Sequence, residues 1–458
     1  MIEVVQAFDR KPIISLDEDD ARSLETKLTL ATRLFKDRRN WLPAYVREEV
    51  LLKLIELMQG EREVLALQIS REGGKPLLDA RVEVDRAIEG VRCGIDVLRT
   101  HVGREIPMGL SRASDRRHAW TLCEPIGVVA AVSAFNHPLN LATHQVIPAI
   151  AAGCPIIIKP AGPTPLSCLR LVALLEQAGL PPGWVQTLLT RDSSLAERMV
   201  TDPRTAFFSF IGSARVGWYL RSKLAPGTRC ALEHGGVAPV VVDHTADIDS
   251  LIEPLAKGGY YHAGQVCVSV QRIYVDARIY DSFTDQYRAR VEALRVGDPI
   301  AESTEVGPLI QPAEADRVKE WIDEAVTSGA TLWGGERLSA TTVAPAILLE
   351  PPQGSKVASE EVFGPATCVF RVESLADGIV RANTLPFAFH SAVFTRDLGH
   401  ALEAAEQLDA SAVMVNDHTA FRVDWMPFAG RHGSGYGVGG IPFTAHEMTA
   451  SKMIVFRF

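Results

Sequence analysis

From Ile126 onward, short and wholly apolar runs alternate with segments of helical periodicity, and no other feature restricts the fold of this chain as strongly. IGVVAAV, PIIIK, WVQTLL and TAFFSFI are runs of the kind that a strand covered on both faces requires. LATHQVIPAIAAG, PLSCLRLVALLEQAG and ARVGWYLRSKL read as helices, the first two closed by Gly153 and Gly179. Strand and helix in alternation predict an open parallel α/β sheet with right-handed crossovers. A second stretch of this kind begins near Leu232. It reads as PVVVD, a helix through Tyr260, a strand VCVSVQRIYV and a helix from Tyr280 to Leu294, and it runs to about Pro427.

The flanks differ. LPAYVREEVLLKLIELM (Leu42 to Met58) carries apolar residues at helical spacing with charges opposite. A second long helix is expected beyond the break at Gly73-Gly74. REIPMGLSRASDRRHAWTLCEP reads as strand and turn, ending at Pro125. HEMTASKMIVFRF ends in an alternating tail too short to fold alone, so it is expected to pair with another strand, its own or a partner subunit's.

The 458 residues suffice for two or three domains. A formal net charge of −9 argues against a sequence-independent nucleic-acid binder, which needs a basic surface to displace counterions. The opening MIEVVQAFDRKPII has no continuous apolar core of a secretory signal. Runs such as Ile126 to Val132 are too short to span a bilayer, so a cytoplasmic protein is expected. The seven cysteines (Cys93, Cys123, Cys154, Cys168, Cys230, Cys267 and Cys368) are odd in number, irregularly spaced and without a CxxC pair. That fits reduced thiols better than a disulfide framework or a zinc site, and no metal is expected.

Short motifs then follow in a fixed order: EPIGVVAAVSAFNHPLN with Asn136, PIIIKP with Lys159, FSFIGSARVG with Gly212, Ser213 and Gly217, LEHGG with Glu233, GQVCVSVQR with Cys267, EEVFGP with Glu361 and Phe363, and MPFAGRHGSG with Pro427 and Phe428. Each alone is weak. Together, with Glu233 and Cys267 separated by 267 − 233 = 34 residues, they resemble the aldehyde dehydrogenase superfamily, on its lactaldehyde and semialdehyde side. The resemblance runs from GKPLLDAR to the terminal TASKMIVF. It implies a Rossmann-like NAD(P)-binding domain (1–104 and 126–233), a catalytic domain (234–428) and a small β oligomerisation segment (105–125 and 429–458).

Oxidation of an aldehyde removes hydride from a carbon that releases it poorly until a thiolate has made it tetrahedral. The thioester left behind needs water, and the water needs a base. The resemblance assigns these parts to Cys267 as nucleophile, Asn136 as oxyanion donor and Glu233 as general base. Taken alone, a cysteine in an apolar run is a small core residue, Asn before Pro138 a turn residue and a strand-end Glu a surface acid. The family usually has Leu after this Glu, whereas His234 stands here, which bears on local pKa and water access.

A GxGxxG loop is absent. By resemblance, GSARVG places Gly212, Ser213 and Gly217 at a helix N-terminus facing a pyrophosphate, a natural anion site. Lys159 would reach the adenosine ribose, Glu361 the nicotinamide ribose, and Phe135 and Phe363 would complete the cofactor set. Gly162 stands where relatives selective for NAD carry an acid, so NAD is expected with NADP still open.

For the substrate, His137, His418 and Arg422 are the candidates. Arg422 suits bidentate capture of a carboxylate, sulfonate or phosphate, or else it pairs with Asp424 or a neighbouring subunit. Val266 stands where phosphate-recognising relatives can carry Arg, which counts against a phosphorylated substrate. The expectation is a small polar or anionic aldehyde oxidised hydrolytically by a homodimer or homotetramer. A CoA-acylating enzyme, disfavoured by Glu233, and a catalytically silent binding protein with the same fold are the alternatives.

Overall fold

The computed structural model describes residues 1–458. Two sheets organise the chain. The first has six strands in the order Gly435–Tyr436, Arg229–Glu233, Thr205–Ile211, Val128–Val132, Ile156–Lys159 and Val185–Thr187. Five are parallel, and Gly435–Tyr436 adds an antiparallel edge. The second has seven, in the order Thr331–Gly334, Ala346–Leu349, Ala366–Val372, Arg272–Asp276, Pro239–Val242, His390–Phe394 and Ala412–Val415, all parallel but the first. The predicted alternation of strand and helix is therefore present twice, and the class is α/β. Both sheets are covered by helices, which is why their central strands are apolar on both faces: Ile156, Ile157 and Ile158 are all fully buried.

Helix ends follow the glycines where the backbone demands them. Pro138–Ala152 starts with Pro in its first turn and stops at Gly153, whose φ of 83° is left-handed. Gly74 closes the helix Arg62–Gly73 in the same conformation.

Two readings of the sequence are corrected, and a third, left open between two pairings, is resolved. Helical patterning is the expectation for the first hundred residues, yet the chain opens with an antiparallel hairpin, Ile2–Val5 with Pro12–Leu16, before the helices begin. VCVSVQRIYV is strand only from Arg272, because the backbone N–H groups of Val266, Ser269 and Val270 are taken up by Gly264, Val266 and Gly258 in turns instead of a ladder. The tail strand Thr449–Arg457 pairs antiparallel with Arg117–Pro125 of its own chain over nine residues, in a three-stranded sheet completed by Glu105–Ile106. Its second edge is free. No helix is long and apolar enough to cross a membrane.

Candidate active site

In the first sheet the strand order reverses between Val128–Val132 and Thr205–Ile211. Chains leaving the carboxyl ends of two such strands diverge and leave a crevice, the usual ligand site of an open α/β sheet. A cavity of about 450 Å³ lies there. Ser133 to His137 and Gly212-Ser213 line it from the first sheet, as does Glu233 at the end of its strand; Val266 to Val268 close it from the loop that enters strand Arg272–Asp276.

That loop begins in strain. His262 (φ 50°), Ala263 (φ 54°) and Gly264 (φ 68°) are successively left-handed, and a Cβ on Gly264 would lie 2.1 Å from the Gly364 carbonyl oxygen. Buried Gln265 then fixes the loop: its Oε1 accepts from Ile310 N at 2.9 Å, and its Nε2 donates to His262 O and Pro308 O. Cys267 emerges half-buried among Tyr261, Phe389 and Phe428. Burial raises its thiol well above the ordinary range, Glu233 and Glu361 add to this, and Arg422 opposes it. The resting thiol is protonated, so a base must take its proton. The other cysteines stand unpaired, five of them buried.

Asn136 is 4% exposed, and its Nδ2 donates one hydrogen to Gln265 O at 2.9 Å. One amide hydrogen is left, and Asn136 lines the same cavity as Cys267. The Asn136-His137 turn is held from behind: Glu83 accepts from the N–H groups of Leu139 and Asn140 at 3.0 and 3.1 Å, capping that helix, and buried Lys75 bridges Glu83 and His137 Nδ1. Burial, then Lys75, keep His137 neutral.

Glu233 is raised above the ordinary carboxylate range by burial, with Arg422 and then Arg86 opposing. Arg422 is 8% exposed and its Nη1 lies 3.7 Å from Glu233 Oε1. Its guanidinium carbon sits 3.5 Å from the centre of the Phe428 ring. It does not pair with Asp424. That carboxylate is taken by Arg86 (2.9 and 3.1 Å), His144 Nε2 (2.7 Å) and Asn140 Nδ2 (3.1 Å).

On the cofactor side, Ser213 caps the helix Ala214–Arg221 by position, without a side-chain bond to it, so its hydroxyl is uncommitted. A Cβ on Gly217 would lie 2.0 Å from His234 Cε1; the glycine makes room for that ring, whose Nδ1 meets Gly212 O at 2.9 Å. His234 thus supports the phosphate-side turn. Glu361 is half-buried, with Oε1 shut away from solvent and unpartnered, and burial pushes its pKa up to about 8. Gly235 clears a path for it, since a Cβ there would fall 1.6 Å from that oxygen. Phe363, at φ 47°, stands edge-on to Phe135 at 5.6 Å. An uncommitted hydroxyl at a helix N-terminus, an orphaned carboxylate and an aromatic pair fit a dinucleotide. Lys159 ends its strand beside Val132, outside the cavity, with Nζ 3.4 Å from Pro160 O. Around Gly162 a Cβ meets nothing within 4 Å.

Of the predicted substrate residues, His418 is not brought in: it packs on Gly258, and its Nδ1 accepts from Ala420 N. Sequence reading missed Arg86, Asn140, His144 and the Lys75–Glu83 pair. All but Lys75, which lies just before helix Leu77–Thr100, are ordinary charged or polar positions of a helix, and no local signal marks their role.

The aldehyde dehydrogenase family model matches residues 1–454. A 3-sulfolactaldehyde dehydrogenase of Priestia megaterium is 35% identical over 459 residues, covering 100% of this chain and 95% of the relative. Aldehyde dehydrogenase 21 of Physcomitrella patens, solved with its reaction product succinate, superimposes with a TM-score of 0.95 at 32% identity, covering 100% of this chain and 95% of that one. The glyceraldehyde-3-phosphate dehydrogenase GapN of Methanocaldococcus jannaschii, complexed with NADP, gives 0.95 at 32% identity over 100% and 99%.

Proposed function

The chain belongs to the aldehyde dehydrogenase family, and on that premise we propose that it oxidises a short aldehyde with an anionic far end to the carboxylic acid, through Cys267 and hydrolysis. The observation that carries this reading is the convergence of Cys267, Glu233 and Asn136 on one cavity with Arg422, a buried cation lacking a close partner. A buried guanidinium without its hydrogen bonds is costly, and a carboxylate, sulfonate or phosphate end would satisfy it. The names of the three relatives point the same way: a sulfonate, a dicarboxylate product and a phosphate.

In the proposed sequence Glu233 takes the thiol proton, and the Cys267 sulfur attacks the carbonyl carbon. The Asn136 amide and the Cys267 N–H hold the oxygen as it becomes anionic. A bound nicotinamide dinucleotide supplies the acceptor for the hydride that leaves when the thiohemiacetal collapses to a thioester. Glu233 passes the thiol proton to solvent and, ionised again, deprotonates a water, which attacks the thioester carbonyl; the carbon–sulfur bond breaks, Cys267 leaves as the thiolate, and the acid departs. Ser213, Lys159 and Glu361 are proposed to hold the dinucleotide. The open space at Gly162 supports use of NAD with NADP accepted.

The free edge of Thr449–Arg457, with Met453, Phe456 and Phe458 exposed, supports a homodimer or homotetramer joined through that sheet. A thiol nucleophile suits a reducing cytoplasm. The test is nicotinamide reduction with sulfonate-, carboxylate- and neutral-ended aldehydes, with NAD or NADP, with and without CoA. Preference for the anionic aldehydes without CoA is expected. An absolute need for CoA would replace hydrolysis by acyl transfer, and equal use of neutral aldehydes would remove the anionic specificity.

A further inference from the structure

Arg422, proposed above to hold the anionic end of the substrate, lies with its Nη1 3.7 Å from the proposed base. Its neighbour in sequence, Asp424, is saturated by Arg86, His144 and Asn140, so Glu233 is the nearest carboxylate left to it. Even that contact, at 3.7 Å, is too long for a good charge-assisted hydrogen bond. Its Nη2 lies 3.4 Å from His144 Nδ1, and its Nε is buried without a partner. Held 3.5 Å over the Phe428 ring, the guanidinium is positioned but under-bonded.

We propose that Arg422 is a relay: it restrains Glu233 in the free enzyme, and the anionic end of the aldehyde takes it over, so that substrate binding itself makes Glu233 a stronger base. This rests on the anionic-aldehyde reading above. A carboxylate or sulfonate can offer the fork two short bonds where Glu233 offers one long contact, so the incoming anion wins the guanidinium. Its negative charge then offsets the Arg422 field at Glu233. An opposite charge at this range ordinarily lowers a carboxylate pKa by about 1–3 units, and losing part of that moves Glu233 toward the working pH of a general base.

The charged and titratable groups on and behind Glu233 come from five other segments. Arg422 reaches it from the 418–428 segment with Asp424 behind, Arg86 from helix Leu77–Thr100, and Cys267 from the loop before Arg272. His144 backs Arg422 from helix Pro138–Ala152, and Glu361 faces the thiol. Of these, Arg422 is the cation both nearest Glu233 and short of partners. Arg86 is held by Asp424 and changes less.

A neutral-ended aldehyde would leave Arg422 on Glu233. The test uses a sulfonate-ended aldehyde, whose charge does not titrate in the working range, and its neutral sulfonamide. Acyl-enzyme hydrolysis is followed by quenched-flow release of the acid as a function of pH. In the wild-type enzyme the acidic limb is expected about one pH unit higher for the sulfonate acyl-enzyme. The acidic limb of kcat/KM, which reports the free enzyme, should be common to both aldehydes. In Arg422→Gln the two hydrolysis limbs should coincide, and Arg422→Lys, which keeps the charge, should restore part of the difference. Coincident hydrolysis limbs in the wild type would overturn the relay while leaving anchoring intact, provided Arg422→Gln still raises KM selectively for the sulfonate. Equal KM losses for both aldehydes would overturn anchoring and the relay together.

Discussion

The two sides of the cavity are built in different ways. The cofactor side is made of clearances: Gly217 makes room for His234, Gly235 for Glu361, and Gly162 leaves open space. Its polar groups are few and mostly uncommitted, as the orphaned Glu361 Oε1 shows. The substrate side is made of buried charge. Arg86, Asp424, His144, Asn140 and Arg422 form one network, with Lys75, Glu83 and His137 beside it. A dinucleotide brings its own hydrogen-bonding surface and needs space and a few donors. A small aldehyde brings little, so the protein must supply a rigid, charged wall to position it.

Cys267 sits between the sides, and its loss should be the largest effect. Cys267→Ala is expected to lower kcat by about four orders of magnitude or more, with dinucleotide affinity, read by fluorescence titration, unchanged. Loss of dinucleotide affinity as well would mean that the two sides are not separable. The substrate side should be tied to stability. Asp424→Ala leaves half-buried Arg86 and buried His144 and Asn140 without the carboxylate that pairs them, and calorimetry or denaturant titration should show a loss of about 3–5 kcal/mol. A loss under about 1 kcal/mol would show that the network is not structural.

The cofactor side should respond in selectivity instead. Gly162→Asp would place an anion in the open space where a 2′-phosphate would approach, and the kcat/KM ratio of NADP to NAD should fall at least about tenfold, or about 1.4 kcal/mol. An unchanged ratio would place the adenosine end elsewhere. The mildest test concerns Glu361, raised from 4.5 to about 8. Below about pH 4.5 it is protonated in the folded and unfolded states alike. Between there and about 8 only the folded state keeps the proton, so its contribution to stability falls as pH rises. Glu361→Gln removes that titration, and its Tm relative to wild type should climb from pH 5 to pH 8. A constant difference would mean that Glu361 ionises freely.

The contrast also marks where sequence reading reached. The proposed cofactor side was legible as a set of candidates because its features are local: GSARVG, EEVFGP and LEHGG each hold several of its residues within a few positions. The substrate side was not, because Arg86 and Asp424 are 338 residues apart and Asn140 and Asp424 are 284 apart. His418 shows the converse error, since closeness to Arg422 in the chain did not place it in the cavity.

Composition and periodicity by themselves determined the two α/β layers, because a strand buried on both faces must be apolar throughout and a helix beside it must repeat its apolar positions. The ordered motifs determined the family and named Cys267, Glu233 and Asn136 as candidates. Only the tertiary structure decided that Cys267 leaves a strained turn and not a strand, that the tail pairs with its own chain, and that Asp424 takes Arg86 and leaves Arg422 to Glu233. Those outcomes depend on which buried charges meet across the fold. Such pairing is fixed by packing over hundreds of residues, and no local pattern of residue types encodes it.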